Sequence, residues 1–155
     1  MTESFPAPLD AWVIHCDGSA VPNPGRMGLG AVLMAPDGTR HTLSQATCTR
    51  GCNNEAELLA LMAALQKART AGATILLVYC DNSILVAQLG ATRHKPIDRL
   101  AELFDKARVL LASFEQISLR LIPRHRNSQA DALARAALGL APKEAAPPIR
   151  RRCRT

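Results

Sequence analysis

Four acidic side chains stand in four distinct local contexts: Asp17 in Cys16-Asp17-Gly18-Ser19, Glu57 in Asn53-Asn54-Glu55-Ala56-Glu57-Leu58, Asp81 in Tyr79-Cys80-Asp81-Asn82, and Asp131 in Asn127-Ser128-Gln129-Ala130-Asp131. Two close apolar, strand-like runs and two open helix-like runs. A fold that gathered them would put a carboxylate cluster on a chain that is basic overall. Carboxylates brought together raise one another's pKa, and cations relieve the repulsion. Divalent cations held in this way are what phosphodiester chemistry uses.

Each acid also has a purely structural reading. Asp17 opens a Gly-containing turn, a place Asp favours. Glu57 fits the third position of a helix capped by Asn54, where a capping box puts its glutamate. Asp131 has the same reading with Ser128 as the cap. Asp81 is well placed to cap the next helix. Taken singly, structure accounts for at least three of the four.

The elements that would have to gather them are legible. Trp12 to Cys16 reads as a strand ending at Asp17, followed by turn-rich residues from Gly18 to Gly25. Leu29 to Ala35 is a second strand, Pro36-Asp37-Gly38-Thr39 a hairpin turn, and Arg40 to Thr47 a third strand. Asn54 starts a helix running to about Ala71, apolar almost all round its first half, as a central buried helix should be. Thr74 to Cys80 is a continuous apolar run, expected of a buried parallel strand. Helices over Ser83–Leu89 and Ile97–Ser113, a strand over Ile117–Ile122 and a helix over Ser128–Leu138 complete the order. A meander of three strands followed by crossovers predicts an α/β fold with a mixed five-stranded sheet and helices on both faces. Adjacent parallel strands ending at Asp17 and Asp81 would make these carboxylates neighbours at one sheet edge.

The chain has 155 residues, 48% of them hydrophobic, enough for one packed domain over residues 11–140. Residues 1–10 read as a lead-in. The formal net charge is +6, and the segment 141–155 carries much of it on Lys143, Arg150, Arg151, Arg152 and Arg154 against Glu144 alone. That segment is expected to be disordered and to suit a polyanion. No run approaches the roughly 18 apolar residues of a membrane span, and the N-terminus does not read as a signal peptide. Five cysteines without a disulfide-like pattern point to reduced thiols and the cytoplasm. Cys48 and Cys52 have loose metal-type spacing, but no second pair accompanies them. A monomer is the default expectation.

Read together, Asp17-Gly18-Ser19, Asn23-Pro24-Gly25, Thr49-Arg50, Asn53-Asn54 with Glu57-Leu58, the strand-terminal Asp81, and Asn127 with Ala130-Asp131 and Leu133-Ala134 resemble type 1 ribonuclease H over roughly residues 12–138. The resemblance implies an endonuclease that hydrolyses the RNA strand of RNA–DNA hybrids, leaving a 5′-phosphate and a 3′-hydroxyl. It implies Asp17, Glu57, Asp81 and Asp131 as ligands of Mg²⁺ or Mn²⁺, two ions with substrate bound, and Asp17 as the bridge. Hard oxygen ligands suit Mg²⁺, and two ions roughly 4 Å apart serve an in-line displacement. Glu55 competes with Glu57, and the family spacing selects Glu57.

The family often carries a His in a loop before its last aspartate. Here Pro123-Arg124-His125-Arg126-Asn127 resembles a shortened form, so His125 and Arg124 are both candidates. His125 could move a proton; Arg124 could only orient phosphate or stabilise charge. By resemblance Asn23, Asn53 and Asn54 touch the groove of the hybrid. Two departures concern substrate grip. Cys52 stands where some relatives use Thr in a DNA-phosphate pocket. A short Gly90–Pro96 link replaces the basic, Trp-containing protrusion of other relatives, leaving Arg93, Lys95 and the basic tail as candidate contacts. No N-terminal hybrid-binding module is expected. The alternatives are a nucleic-acid-binding module of the same fold with little turnover, and another metal-dependent nuclease of that fold.

Overall fold

The structure is a computed structural model that describes residues 10–90 and 100–142. The expected lead-in and basic tail fall outside these residues except for Asp10, Ala141 and Pro142, and so do Arg93 and Lys95.

Five strands form one sheet: β1 (Trp12–Val21), β2 (Gly25–Met34), β3 (Arg40–Gly51), β4 (Ile75–Cys80) and β5 (Gln116–Leu121). Their spatial order is β3-β2-β1-β4-β5. The first three pair antiparallel, while β4 runs parallel to both β1 and β5. The helices are α1 (Asn53–Thr70), α2 (Ser83–Leu89), α3 (Ala101–Ala112) and α4 (Ser128–Ala137), the last preceded by a 3₁₀ turn over Arg124–Arg126. This is the mixed sheet that the sequence predicts.

Helix α1 lies against the middle of the sheet. Leu61, Leu65 and Ala68 pack onto Ile14, Cys16, Leu33, Leu76 and Val78. Another side of α1 places Leu58 against Leu85, Leu100 and Phe104 of the neighbouring helices. Each such buried aliphatic side chain contributes roughly 1.5–3 kcal/mol relative to exposure, which explains an apolar surface on more than one side. Helix α4 covers the opposite face. A Cβ on Gly28 or Gly30 would run into the backbone of α4 at Ala134 or Ala130, so glycine permits the close approach. Ser44 and Arg40 of β3 secure it, through bonds to the Leu133 carbonyl (2.7 Å) and to Gln129 Oε1 (2.9 Å).

Several boundaries differ from the sequence reading, with one shared consequence. β1 does not stop at Asp17 but continues to Val21, because residues Gly18 to Val21 still pair with β2. Helix α1 is capped by Cys52, whose Sγ accepts from the Glu55 amide (3.5 Å), and not by Asn54. Helix α2 is capped by Asn82, whose Oδ1 accepts from Ile84 and Leu85 (2.9 and 3.2 Å), and not by Asp81. Helix α4 starts after Asn127 rather than after Ser128. Glu57, Asp81 and Asp131 therefore hold none of the helix-end roles that a structural reading gives them. Among the described residues, no helix is long and apolar enough to cross a membrane.

Candidate active site

The parallel pairing of β1 with β4 runs from Trp12 opposite Leu76 to His15 opposite Tyr79. Beyond it β4 ends at Cys80, so Asp81 leaves the sheet just where β1 continues alone beside β2. Asp17 lies on that continuation. This is the sheet-edge setting in which open α/β folds bind ligands. Gly18 brings the start of α1 to the same point, since a Cβ there would collide with the backbone of Ala56 and Glu57. Gly30, the register partner of Asp17, does the same for α4, which carries Asp131.

One carboxylate oxygen from each of Asp17, Glu57 and Asp81 lies within 4.8 Å of the others. Asp131 stands close enough to Asp17 to raise the Asp17 carboxyl. All four line one cleft of about 850 Å³. Thus four acids that are far apart in sequence form a single site.

Asp17 is only 6% exposed. Burial, then the charges of Asp81 and Glu57, then Asp131, push its carboxyl up to about 9. Burial and the Asp81 charge push Glu57 up to about 7, against a bond from Asn82 and the positive charge of Arg124. Among the described residues the one ion pair is Arg108–Asp105, on the surface at 3.0 Å, so no side-chain cation there is paired with the four acids. A cluster of hard oxygen donors around the buried Asp17, with no such pairing, fits a divalent ion. Cys16 and Cys80 sit directly behind Asp17 and Asp81, and burial pushes both thiols up, Cys80 to about 12. They remain protonated fillers rather than ligands. Cys48 is an exposed free thiol, and Cys52 serves as the α1 cap.

The other candidates divide between cleft and scaffold. Arg124 and His125, on the 3₁₀ turn, both line the cleft, as do Ser19 and Gln129. Asn53 lines it too, while its Oδ1 accepts from the Ala20 amide (2.8 Å) and its own amide donates to Asn23 Oδ1 (3.1 Å). Asn54 Oδ1 accepts from Asn82 Nδ2 (2.9 Å). Asn23 and Asn54 thus hold the loops around Asn53 in place.

Asn127, noted in the sequence only as part of the last motif, takes a role in the site that sequence reasoning did not give it. It is 1% exposed, and its Nδ2 donates to both Asp81 Oδ2 and the Cys16 carbonyl at 2.9 Å. One amide thereby ties β1, the end of β4 and the start of α4. The sequence reading placed the cap at Ser128; Asn127 takes the cap position, but its side chain makes no cap bond and turns to the site instead.

The fold agrees with the comparisons to known proteins. The chain matches the family described as reverse transcriptase-like over residues 15–137. It is 36% identical over 135 residues to a bifunctional protein of Mycobacterium tuberculosis, covering 86% of this chain and 37% of that protein. Ribonuclease HI of Halobacterium salinarum is 35% identical over 124 residues, 80% of this chain and 62% of its own length. The crystal structure of RNase H1 from that archaeon superimposes with a TM-score of 0.78 at 32% identity, over 83% of this chain and 98% of the other. LC11-RNase H1 in complex with an RNA/DNA hybrid superimposes with a TM-score of 0.74 at 28% identity, over 83% and 96% of the two chains. The chain belongs to the reverse transcriptase-like family, as a type 1 ribonuclease H homologue. It spans less than two thirds of the curated relatives it matches, 37% of the mycobacterial protein and 62% of the archaeal one.

Proposed function

We propose that this chain is an endoribonuclease that hydrolyses the RNA strand of RNA–DNA hybrids, using two Mg²⁺ or Mn²⁺ ions and leaving a 5′-phosphate and a 3′-hydroxyl. The observation that carries the reading is the meeting of Asp17, Glu57 and Asp81 within 4.8 Å, with Asp131 lining the same cleft. These four residues would hold the ions. When bound, divalent ions supply charge neutralisation at the phosphate and a lowered pKa for the attacking water.

The chain's own groups do the rest. Asn127 holds Asp81 in place, and Gly18 and Gly30 fix the approach of α1 and α4. Arg124, with its charge near Glu57, orients the phosphate and offsets negative charge. His125, in the same cleft, moves a proton at an imidazole nitrogen toward the departing 3′-oxygen. Asn53, supported by Asn23 and Asn54, meets the hybrid's groove, and Arg93 and Lys95 meet its backbone. The reading includes a cytoplasmic location, supported by the free thiols at Cys16, Cys48 and Cys80, and a monomer by default.

A substrate panel tests the reading. Labelled hybrid, double-stranded RNA and double-stranded DNA are incubated with the chain, with and without Mg²⁺ or Mn²⁺. Cleavage confined to the hybrid and dependent on metal is expected. Binding without cleavage would make the chain a nucleic-acid-binding module, and cleavage of duplex DNA would make it another nuclease of this fold.

A further inference from the structure

Beside the active cleft lies a second, smaller pocket of about 170 Å³. The 3₁₀ turn over Arg124–Arg126 stands between the two. Arg124 and His125 line the active cleft, Arg126 lines the small pocket, and Ser128 and Gln129 line both. His15 and Val32, register partners on β1 and β2, form the sheet side of the pocket. The start of α4, from Ser128 to Ala130, forms its helix side.

Alternate positions of a strand share a face, so this side of the sheet reads in rows across the strands. One row is Met34, Val13, Leu77 and Ser118, apolar except at the edge strand. The next row toward the active site is Val32, His15, Tyr79 and Arg120. Asp17 and Asp81 each stand two positions beyond that row, roughly 7 Å along the strands. Aromatic and basic side chains thus enter where the face borders the carboxylates. His15 and Tyr79 are half-buried and stack, with ring centroids 5.0 Å apart and planes at 29°. Tyr79 braces the imidazole from the β4 side, while Val32 and the pocket lie on the β2 side. Arg120 and Arg126 are exposed, and among the described residues neither is ion-paired.

A braced aromatic ring with unpaired arginines beside it is the chemistry that holds an unpaired nucleotide. Every base has a π-face for stacking, and arginines meet the phosphates between bases. Within a duplex those faces are already stacked on neighbouring bases. A pocket of this size admits one flat ring and excludes a duplex. We propose that the pocket between His15 and the start of α4 receives an unpaired base from a strand leaving the hybrid beside the cut, with Arg126 and Arg120 meeting its phosphates. The proposal rests on the ribonuclease H reading above. It makes a hybrid with a single-stranded extension a better ligand than a blunt one.

The test measures binding by the full chain carrying Asp17→Asn, so that the substrate stays intact. A blunt hybrid is compared with the same hybrid extended by a short single strand at each end in turn. At least one extension should tighten binding about fivefold or more. His15→Val and, separately, Arg126→Ser should each bring the ratio of extended to blunt affinity close to one. Valine suits a strand and Arg126 lies on an exposed turn, and the ratio taken within each variant is insensitive to a partly unfolded preparation. A ratio of one in the parent overturns the proposal, as does a ratio that both variants keep. If the parent binds no hybrid, blunt or extended, the ribonuclease H reading itself falls and takes the proposal with it.

Discussion

Asn127 donates a 2.9 Å hydrogen bond to the Oδ2 of Asp81 and a second, equally short, to the carbonyl of Cys16. The bond to Cys16 spans 111 positions of sequence. Two of the four site acids, Asp17 and Asp81, are thus held at a fixed spacing by a residue at the start of the helix that carries a third. The Oδ1 of the same amide is buried and has no partner among the described residues.

Replacing Asn127 by Ala should destabilise the protein by about 1–3 kcal/mol. Two buried bonds are lost, one of them to a carboxylate, and removal of the unpartnered Oδ1 offsets part of that cost. More specifically, the concentration of Mg²⁺ needed for half-maximal activity should rise, because Asp81 loses its support. Thermal unfolding and a metal titration of activity check both; a stability loss with an unchanged metal requirement would show that Asn127 has no positioning role.

The raised carboxyls at Asp17 and Glu57 make stability depend on pH in an unusual direction. Asp17 moves from 3.8 in the unfolded chain to about 9, so between these values the folded state binds the extra proton. Stability of the metal-free protein is then fully present below about pH 4 and declines as pH rises toward 9. Glu57 adds a decline between 4.5 and about 7. In chelator, the Tm should fall from pH 5 to pH 9; Asp17→Asn should flatten most of that fall and raise the Tm at pH 8. Added Mg²⁺ should stabilise more at pH 8 than at pH 5, because binding must displace protons at the lower pH.

Gly30 lies opposite Asp17 in register and meets the backbone of α4 at Ala130. Gly30→Ala should push the helix off the sheet at a cost of about 2–3 kcal/mol. Asp131 moves with the helix, so kcat should fall more than KM changes. Circular dichroism melts and steady-state kinetics measure the two effects separately.

Arg124 and His125 share the cleft wall, and pH profiles separate them. The Arg124 charge lowers the pKa of Glu57, so Arg124→Ala should move the acid limb of the activity profile to higher pH. His125→Ala should lower kcat about tenfold or more without moving that limb, since proton transfer by a positioned side chain is worth roughly that or more. A shifted acid limb in the His125 variant would reverse the assignment.

The order of elements and of the four acids was readable because each rests on local pattern: apolar runs for β4, helical spacing for α1 and α3, turn residues at Asp37-Gly38. The helix starts were misread because several cap-forming residues stand side by side at each one, and composition does not say which residue takes the extended backbone. The cost of that error fell on function. Caps at Asn54, Asp81 and Ser128 would have employed Asp81 directly and put Glu57 and Asp131 in capping positions, whereas the observed caps release all three acids. The extension of β1 through Gly18 and Ser19 was hidden by their turn-like character; only pairing with β2 overrides it. The Asn127 tie was invisible for a different reason, being a contact between segments that share no sequence neighbourhood.

The central claim is hydrolysis of the RNA strand at the four carboxylates with divalent metal. Its most direct test is a hybrid with end-labelled RNA, incubated with the parent chain and with Asp17→Asn, each with Mg²⁺ and with chelator, and the product ends analysed. Fragments with 5′-phosphate and 3′-hydroxyl ends are expected from the parent chain with Mg²⁺ alone. Cleavage that persists in chelator or in Asp17→Asn, or products ending in a 2′,3′-cyclic phosphate, would contradict the claim.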